Sequence, residues 1–128
     1  MVTEITKGVK VSAEAYYQPE HSDPQNEEFV FAYRITIENF NDHPVQLLKR
    51  KWIIFDSNGE YTHVEGEGVL GRQPVLEPEE SHQYVSGCNL KTELGSMEGS
   101  YLFKNKVTGT YFEVVIPKFK LVAPFKLN

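Results

Sequence analysis

The sequence predicts an all-β fold, a sandwich of about seven short strands, and three observations predict it. Apolar side chains recur at every second position, the period of a strand with one buried face. Turn-forming pairs such as Asn58-Gly59 and Thr108-Gly109 interrupt that alternation at short intervals. No window carries a 3.6-residue apolar period of useful length, so no helix of consequence is expected.

The strands follow in order. Val9, Val11, Ala13, Ala15 and Tyr17 alternate with polar residues and define the first. Pro19 to Glu27 is polar with two prolines, a loop. Phe29, Phe31, Tyr33, Ile35 and Ile37 give the clearest strand of the chain. Asn41, Asp42 and Pro44 mark a tight connection into a third strand, Val45 to Asp56. Its charged middle, Lys49 to Lys51, is expected on a solvated face, with Trp52 and Ile54 in the core. Asn58-Gly59 suits a type I′ hairpin, in which both central residues take positive φ, and a fourth strand, Tyr61 to Glu65, pairs back. Ser81 to Leu90 is the fifth strand, Gly99 to Val107 the sixth and Tyr111 to Ile116 the seventh, with Pro117 ending or bending it. Phe119 to Leu127 is apolar and is expected to pack on the core, or else to add to a partner's sheet. The pattern points to a Greek-key sandwich of the immunoglobulin or fibronectin type III kind, with a small closed barrel as its rival.

Residues 1–128 suffice for one domain with its own core, and a 40% apolar, 24% charged composition is that of a globular chain. No apolar run approaches the roughly 20 residues that cross a bilayer, and MVTEITKGVK lacks the apolar stretch of a signal peptide. A single cysteine, Cys88, fits a reducing compartment, so a cytoplasmic location is expected. The net charge of −5 disfavours nucleic acid, whose non-specific binding rests on Lys and Arg at phosphates.

Gly66-Glu67-Gly68-Val69-Leu70-Gly71 has the spacing G-x-G-x-x-G. In a dinucleotide fold that spacing opens a helix whose N-terminus faces phosphate, but here prolines follow and no helical period appears. Glycines at positive φ can still aim successive N–H groups at an anion, so Gly66, Gly68, Gly71 and Arg72 are the candidate phosphate site. Glu65 and Glu67 flank them, and each charge acts with about 1 kcal/mol or less at surface dielectric. Two carboxylates beside one arginine therefore disfavour a bare phosphate. The plainer reading is that the glycines serve the chain's crossing between sheets.

His63, Glu65 and Glu67 share a strand face, but Cα atoms two residues apart lie about 7 Å from each other and converge poorly on one ion. No metal site and no cofactor are expected. His82 and Ser86 would share a face of the fifth strand without a visible orienting acid, and Cys88 reads as a small buried residue. No catalytic residues are assigned.

Two stretches exceed generic β patterning: VQLLKRKWIIFD (45–56) and GEGVLGRQPVLEPEESHQYVSGCNLKTELGSMEGSY (66–101). With FAYRITIEN (31–39), they resemble the ApaG family. The resemblance rests on Arg50, Trp52, Ile53, Ile54 and Asp56, on the Gly66 to Pro74 block, on Tyr84-Val85-Ser86-Gly87-Cys88, and on Thr92, Gly95, Met97, Gly99 and Tyr101. Glu79 departs from it, because that family usually has Gly after Pro78. The resemblance implies a fibronectin-type sandwich. It also implies an ill-defined biochemical role: bacterial members are often encoded beside a diadenosine-polyphosphate hydrolase and are linked to cobalt and magnesium tolerance. Related domains in eukaryotic proteins, one an F-box protein, act as interaction modules. The expectation is thus a non-catalytic module that binds a protein partner. The alternative is a pyrophosphate or nucleotide polyphosphate, with or without a divalent metal, at the Gly66–Gly71 loop.

Overall fold

The computed structural model describes residues 1–124. Two antiparallel sheets lie face to face, built from nine strands among those residues: β1 (Val2–Thr6), β2 (Val9–Tyr17), β3 (Phe29–Asn39), β4 (Val45–Asp56), β5 (Tyr61–Glu67), β6 (Val75–Leu76), β7 (Ser81–Leu90), β8 (Leu94–Asn105) and β9 (Tyr111–Val122). One sheet runs β1-β2-β3-β7 and the other β5-β4-β8-β9, with β6 pairing on Val45 and Gln46 of β4. The expected all-β sandwich is present. Its inner faces meet in one core, in which Val11, Phe31, Ile35, Leu47, Tyr101, Phe103 and Leu121 are fully buried.

β2, β3, β4 and β7 fall where the alternation places them. β1 is additional: it is almost wholly exposed, so neither face is apolar and no alternation announces it. The type I′ turn belongs to its hairpin with β2, where Lys7 (φ 47°) and Gly8 (φ 78°) are both left-handed. At Asn58-Gly59 only Gly59 (φ 95°) is. There the Gly59 N–H bonds the Asp56 carbonyl at 2.9 Å and the Asp56 N–H bonds the Glu60 carbonyl at 2.9 Å. That is a type I turn closed by a left-handed glycine, one residue longer than the expected loop.

Two bulges shift side-chain phase. Between Leu47 and Lys49 the β4–β8 register slips, so the inward set passes from Val45 and Leu47 to Arg50, Trp52 and Asp56. The expected solvated face therefore holds Lys49 and Lys51 only, and Arg50 points inward. Opposite Glu98, β9 carries two residues, Pro117 and Lys118. Pro117 does not end the strand: as an edge-strand bulge it needs no ladder N–H, and the inward set continues as Phe119 and Leu121. Core packing of the tail thus holds for Phe119, Leu121 and Ala123, while residues 125–127 lie outside the described residues. β8 starts at Leu94 and stops at Asn105, earlier at both ends than its alternation suggested, because Gly95 and Ser96 break the apolar period.

Between the sheets, Asn39 is fully buried and its amide bonds the carbonyls of His43 (2.9 Å) and Leu76 (3.0 Å). It thereby fixes the β3–β4 crossing against β6. Beside it, Glu77 to Glu80 form a type II turn, with the Glu80 N–H on the Glu77 carbonyl at 3.0 Å and Glu79 at φ 71°. That position favours glycine, so the departure noted at Glu79 carries a backbone cost. Glu79→Gly is expected to raise stability by about 1 kcal/mol, read as a higher urea midpoint at unchanged slope. A lower midpoint would mean that the freedom gained by the unfolded chain outweighs the relieved strain.

Candidate functional site

The glycine-rich segment is a second small hairpin rather than a cradle of free amides. Gly66 sits in the β5 ladder opposite Arg50. The Gly68 N–H bonds the Leu48 carbonyl at 2.8 Å; Val69 and Arg72 bond each other's carbonyls at 2.8 and 3.0 Å. Leu70 and Gly71 form the tip, both at positive φ. The amides of Gly68, Val69 and Arg72 are thus committed to carbonyls. The glycines have steric duties instead. A Cβ on Gly66 would lie 2.6 Å from Arg50 Nη1, and one on Gly68 2.0 Å from the Arg72 carbonyl oxygen.

What the segment covers is a side chain whose role the sequence did not disclose. Arg50 crosses the inner face of Gly66, and its Nη1 donates to the carbonyls of Glu67 and Gly68, both at 3.0 Å. Its guanidinium borders a recess of about 160 Å³ between the sheets, walled by Tyr33, Trp52, Leu70, Tyr84 and Ser86. Burial raises the phenol pKa of Tyr33, Tyr84 and Tyr101, and the Arg50 charge pulls all three the other way. The Tyr84 and Tyr101 hydroxyls bond each other.

Strand parity also settles where the acids point. Glu65 and Glu67 project from the outer face of β5, opposite Lys51 and Lys49, with Lys51 Nζ 4.0 Å from Glu65. They do not face Arg50, so the charge objection raised from sequence does not apply to the inner recess. His63 shares their exposed face, and among the described residues no group of three or more His, Cys, Asp or Glu is placed to hold a metal ion.

On β7, His82, Ser86 and Cys88 share the inner face as expected, but they do not assemble a nucleophile. Burial, reinforced by the Asp56 charge, pushes the Cys88 thiol up to about 11. Burial and the nearby Arg72 lower the pKa of His82, whose ring bonds no acid among the described residues. Asp56, by contrast, is buried at the end of β4, where its carboxylate accepts from the Lys91 N–H at 2.6 Å and from the Thr92 hydroxyl. It ties β4 to the β7–β8 turn.

With this geometry in view, the comparisons with known proteins are consistent. The ApaG domain profile matches residues 19–105. The chain belongs to the ApaG family. It is 46% identical over 120 residues to Protein ApaG of Dechloromonas aromatica, covering 94% of each chain. To Protein ApaG of Brucella abortus it is 44% identical over 124 residues, covering 97% of this chain and 95% of the relative. A crystal structure of a Bordetella pertussis protein described as ApaA superposes with a TM-score of 0.88 at 42% identity, covering 92% of this chain and 95% of that one. An X-ray structure of structural-genomics target SoR45 gives 0.86 at 36% identity, covering 94% and 90%. The resemblance drawn from the motif residues therefore holds. No helix among the described residues is long and apolar enough to cross a membrane.

Proposed function

We propose that this chain is a non-catalytic recognition module whose partner is another protein, docked on the outer face of the β5-β4-β8-β9 sheet. One observation supports this reading above others. Two adjoining depressions, of about 450 and 340 Å³, run across that face and share Lys51, Ser100 and Glu113. Leu102 and Val115 supply an apolar floor between charged rows.

Five carboxylates (Glu4, Glu65, Glu67, Glu98, Glu113) border the two depressions against three lysines (Lys49, Lys51, Lys118) and Arg50. A face of that balance, on a chain of net charge −5, suits a partner presenting lysines or arginines around a small apolar contact. Such rim charges steer association and act mainly on the on-rate, with strong salt dependence. The competing reading, nucleotide polyphosphate on the Gly66–Gly71 amides, lacks free donors at Gly68 and Val69.

The test is capture from native lysate by the full chain and by a Glu67→Lys/Glu113→Lys variant that keeps its fold. A specific partner should be held by the native chain at about 0.1 M salt, where charges act over roughly 10 Å, and lost by the variant. Retention of the same partner by both, or no specific partner at all, would sink the reading.

A further inference from the structure

Arg50 presents an unusual electrostatic situation. Its guanidinium is partly buried between the sheets, and among the described residues no carboxylate lies within salt-bridge reach of it. Among the described residues no side-chain nitrogen without a partner is sealed from solvent, so the donors that Arg50 leaves unbonded are open to an entering anion. The Glu67 and Gly68 carbonyls engage Nη1 alone. Nε and Nη2 have no acceptor among the described residues, and together they form the side-on fork that matches the two oxygens of a carboxylate.

The walls of the recess define the rest of the ligand. Ser86 and the phenol groups of Tyr33 and Tyr84 place hydroxyls near the charge, while the Trp52 ring, Val69 and Leu70 are apolar. Leu70 stands at the turn tip at φ 48° and is 63% exposed. An apolar residue held in a strained conformation, with most of its side chain in water, is free to close over an apolar group. One guanidinium, with only hydroxyls and apolar groups beside it, balances one negative charge, which favours a monoanion over a phosphate dianion.

We propose that this recess is a carboxylate-binding site, in which Arg50 grips the carboxylate through Nε and Nη2 while Trp52, Tyr33 and Leu70 hold an apolar group attached to it. The recess shares only Arg50 with the lining of the outer depressions, and it is tested independently of them.

The experiment follows the Arg50 Nε–H and the backbone amides of Gly71 and Ser86 by NMR in the intact ¹⁵N-labelled chain at constant ionic strength. Acetate, N-acetyl-leucine, N-acetyl-leucinamide and inorganic phosphate are the probes. N-acetyl-leucine should shift all three signals saturably and bind at least about fivefold more tightly than acetate, since burying even part of a leucyl side chain adds about 1 kcal/mol. The amide, which lacks the charge, should leave the Arg50 signal in place. Arg50→Lys should weaken N-acetyl-leucine by about tenfold; if that variant does not fold, Ser86→Ala should weaken it about threefold, the loss of one hydrogen bond. A short peptide ending in leucine that binds more tightly than N-acetyl-leucine would assign the carboxylate to a chain end, and equal binding would assign it to a small acid. An unmoved Arg50 signal with N-acetyl-leucine, tighter binding of phosphate, or unchanged affinity in folded Arg50→Lys each overturns the proposal.

Discussion

Gly99→Ala should destabilise the protein by about 3 kcal/mol, at the upper end of what overpacking in a well-filled interior costs. Gly99 lies in β8 between Trp52 of β4 and Ile116 of β9, beside the β9 bulge. A Cβ there would stand 1.9 Å from the Lys51 carbonyl oxygen and 3.2 Å from the Trp52 Cα. The obstacle is backbone on both counts, so no rotamer change relieves it; β4 must move away. That displacement falls where Trp52 packs against Tyr33 and Phe119, at ring-centroid distances of 5.4 and 6.0 Å. Trp52 is the single tryptophan, so its fluorescence during urea unfolding reads both the midpoint and the local packing. Gly87→Ala is the matched control. Its added Cβ would meet nothing nearer than the Phe31 carbonyl at 3.6 Å, an ordinary contact, and the change should stay within about 0.5 kcal/mol. If Gly99→Ala were as mild as Gly87→Ala, the β4–β8 spacing would not be what demands glycine.

That contrast shows where the sequence is informative and where it is silent. Gly87 and Gly99 occupy equally regular places in the family pattern, yet only Gly99 is crowded by a backbone oxygen closer than van der Waals contact. Period-two alternation locates β3, β4 and β7 because each buries one face and exposes the other, so hydrophobicity and strand geometry agree. It misses β1, which buries neither face. It stops β9 at Pro117 because a bulge moves the inward residues from even to odd positions. The same effect hid the most interesting side chain. Lys49, Arg50 and Lys51 read as one charged patch, but the slip at Leu48 sends Arg50 to the tyrosines and leaves the lysines outside. Parity likewise sends Glu65 and Glu67 away from the glycine hairpin. Thus the motif residues were legible as a set, while the direction each one faces depends on bulges that alternation alone does not reveal.

Asp56→Ala carries the other large effect, and its partners make it separable from simple burial. The carboxylate is 7% exposed, and it satisfies the Lys91 N–H and the Thr92 hydroxyl. Thr92 Oγ1 in turn accepts from the Ser57 N–H at 3.2 Å, closing a loop between the end of β4 and the β7–β8 turn. Removing the carboxylate orphans the Lys91 N–H and leaves the Thr92 hydroxyl only the Leu94 carbonyl and Ser57 Oγ, which should cost about 3 kcal/mol, since hydrogen bonds to a charged acceptor contribute about 1.5–3 kcal/mol each. Asp56→Asn keeps one acceptor oxygen and should lose about half as much. Thr92→Val should cost about 1 kcal/mol. The decisive quantity is the double variant. If Asp56 and Thr92 act as one clamp, Asp56→Ala/Thr92→Val should lose less than the sum of the two single changes by about 1 kcal/mol, because the second removal acts on a group already without its partner. Strict additivity in urea titrations would instead mean that Asp56 is held by the Lys91 N–H alone, with the Thr92 hydroxyl contributing nothing to fastening the turn.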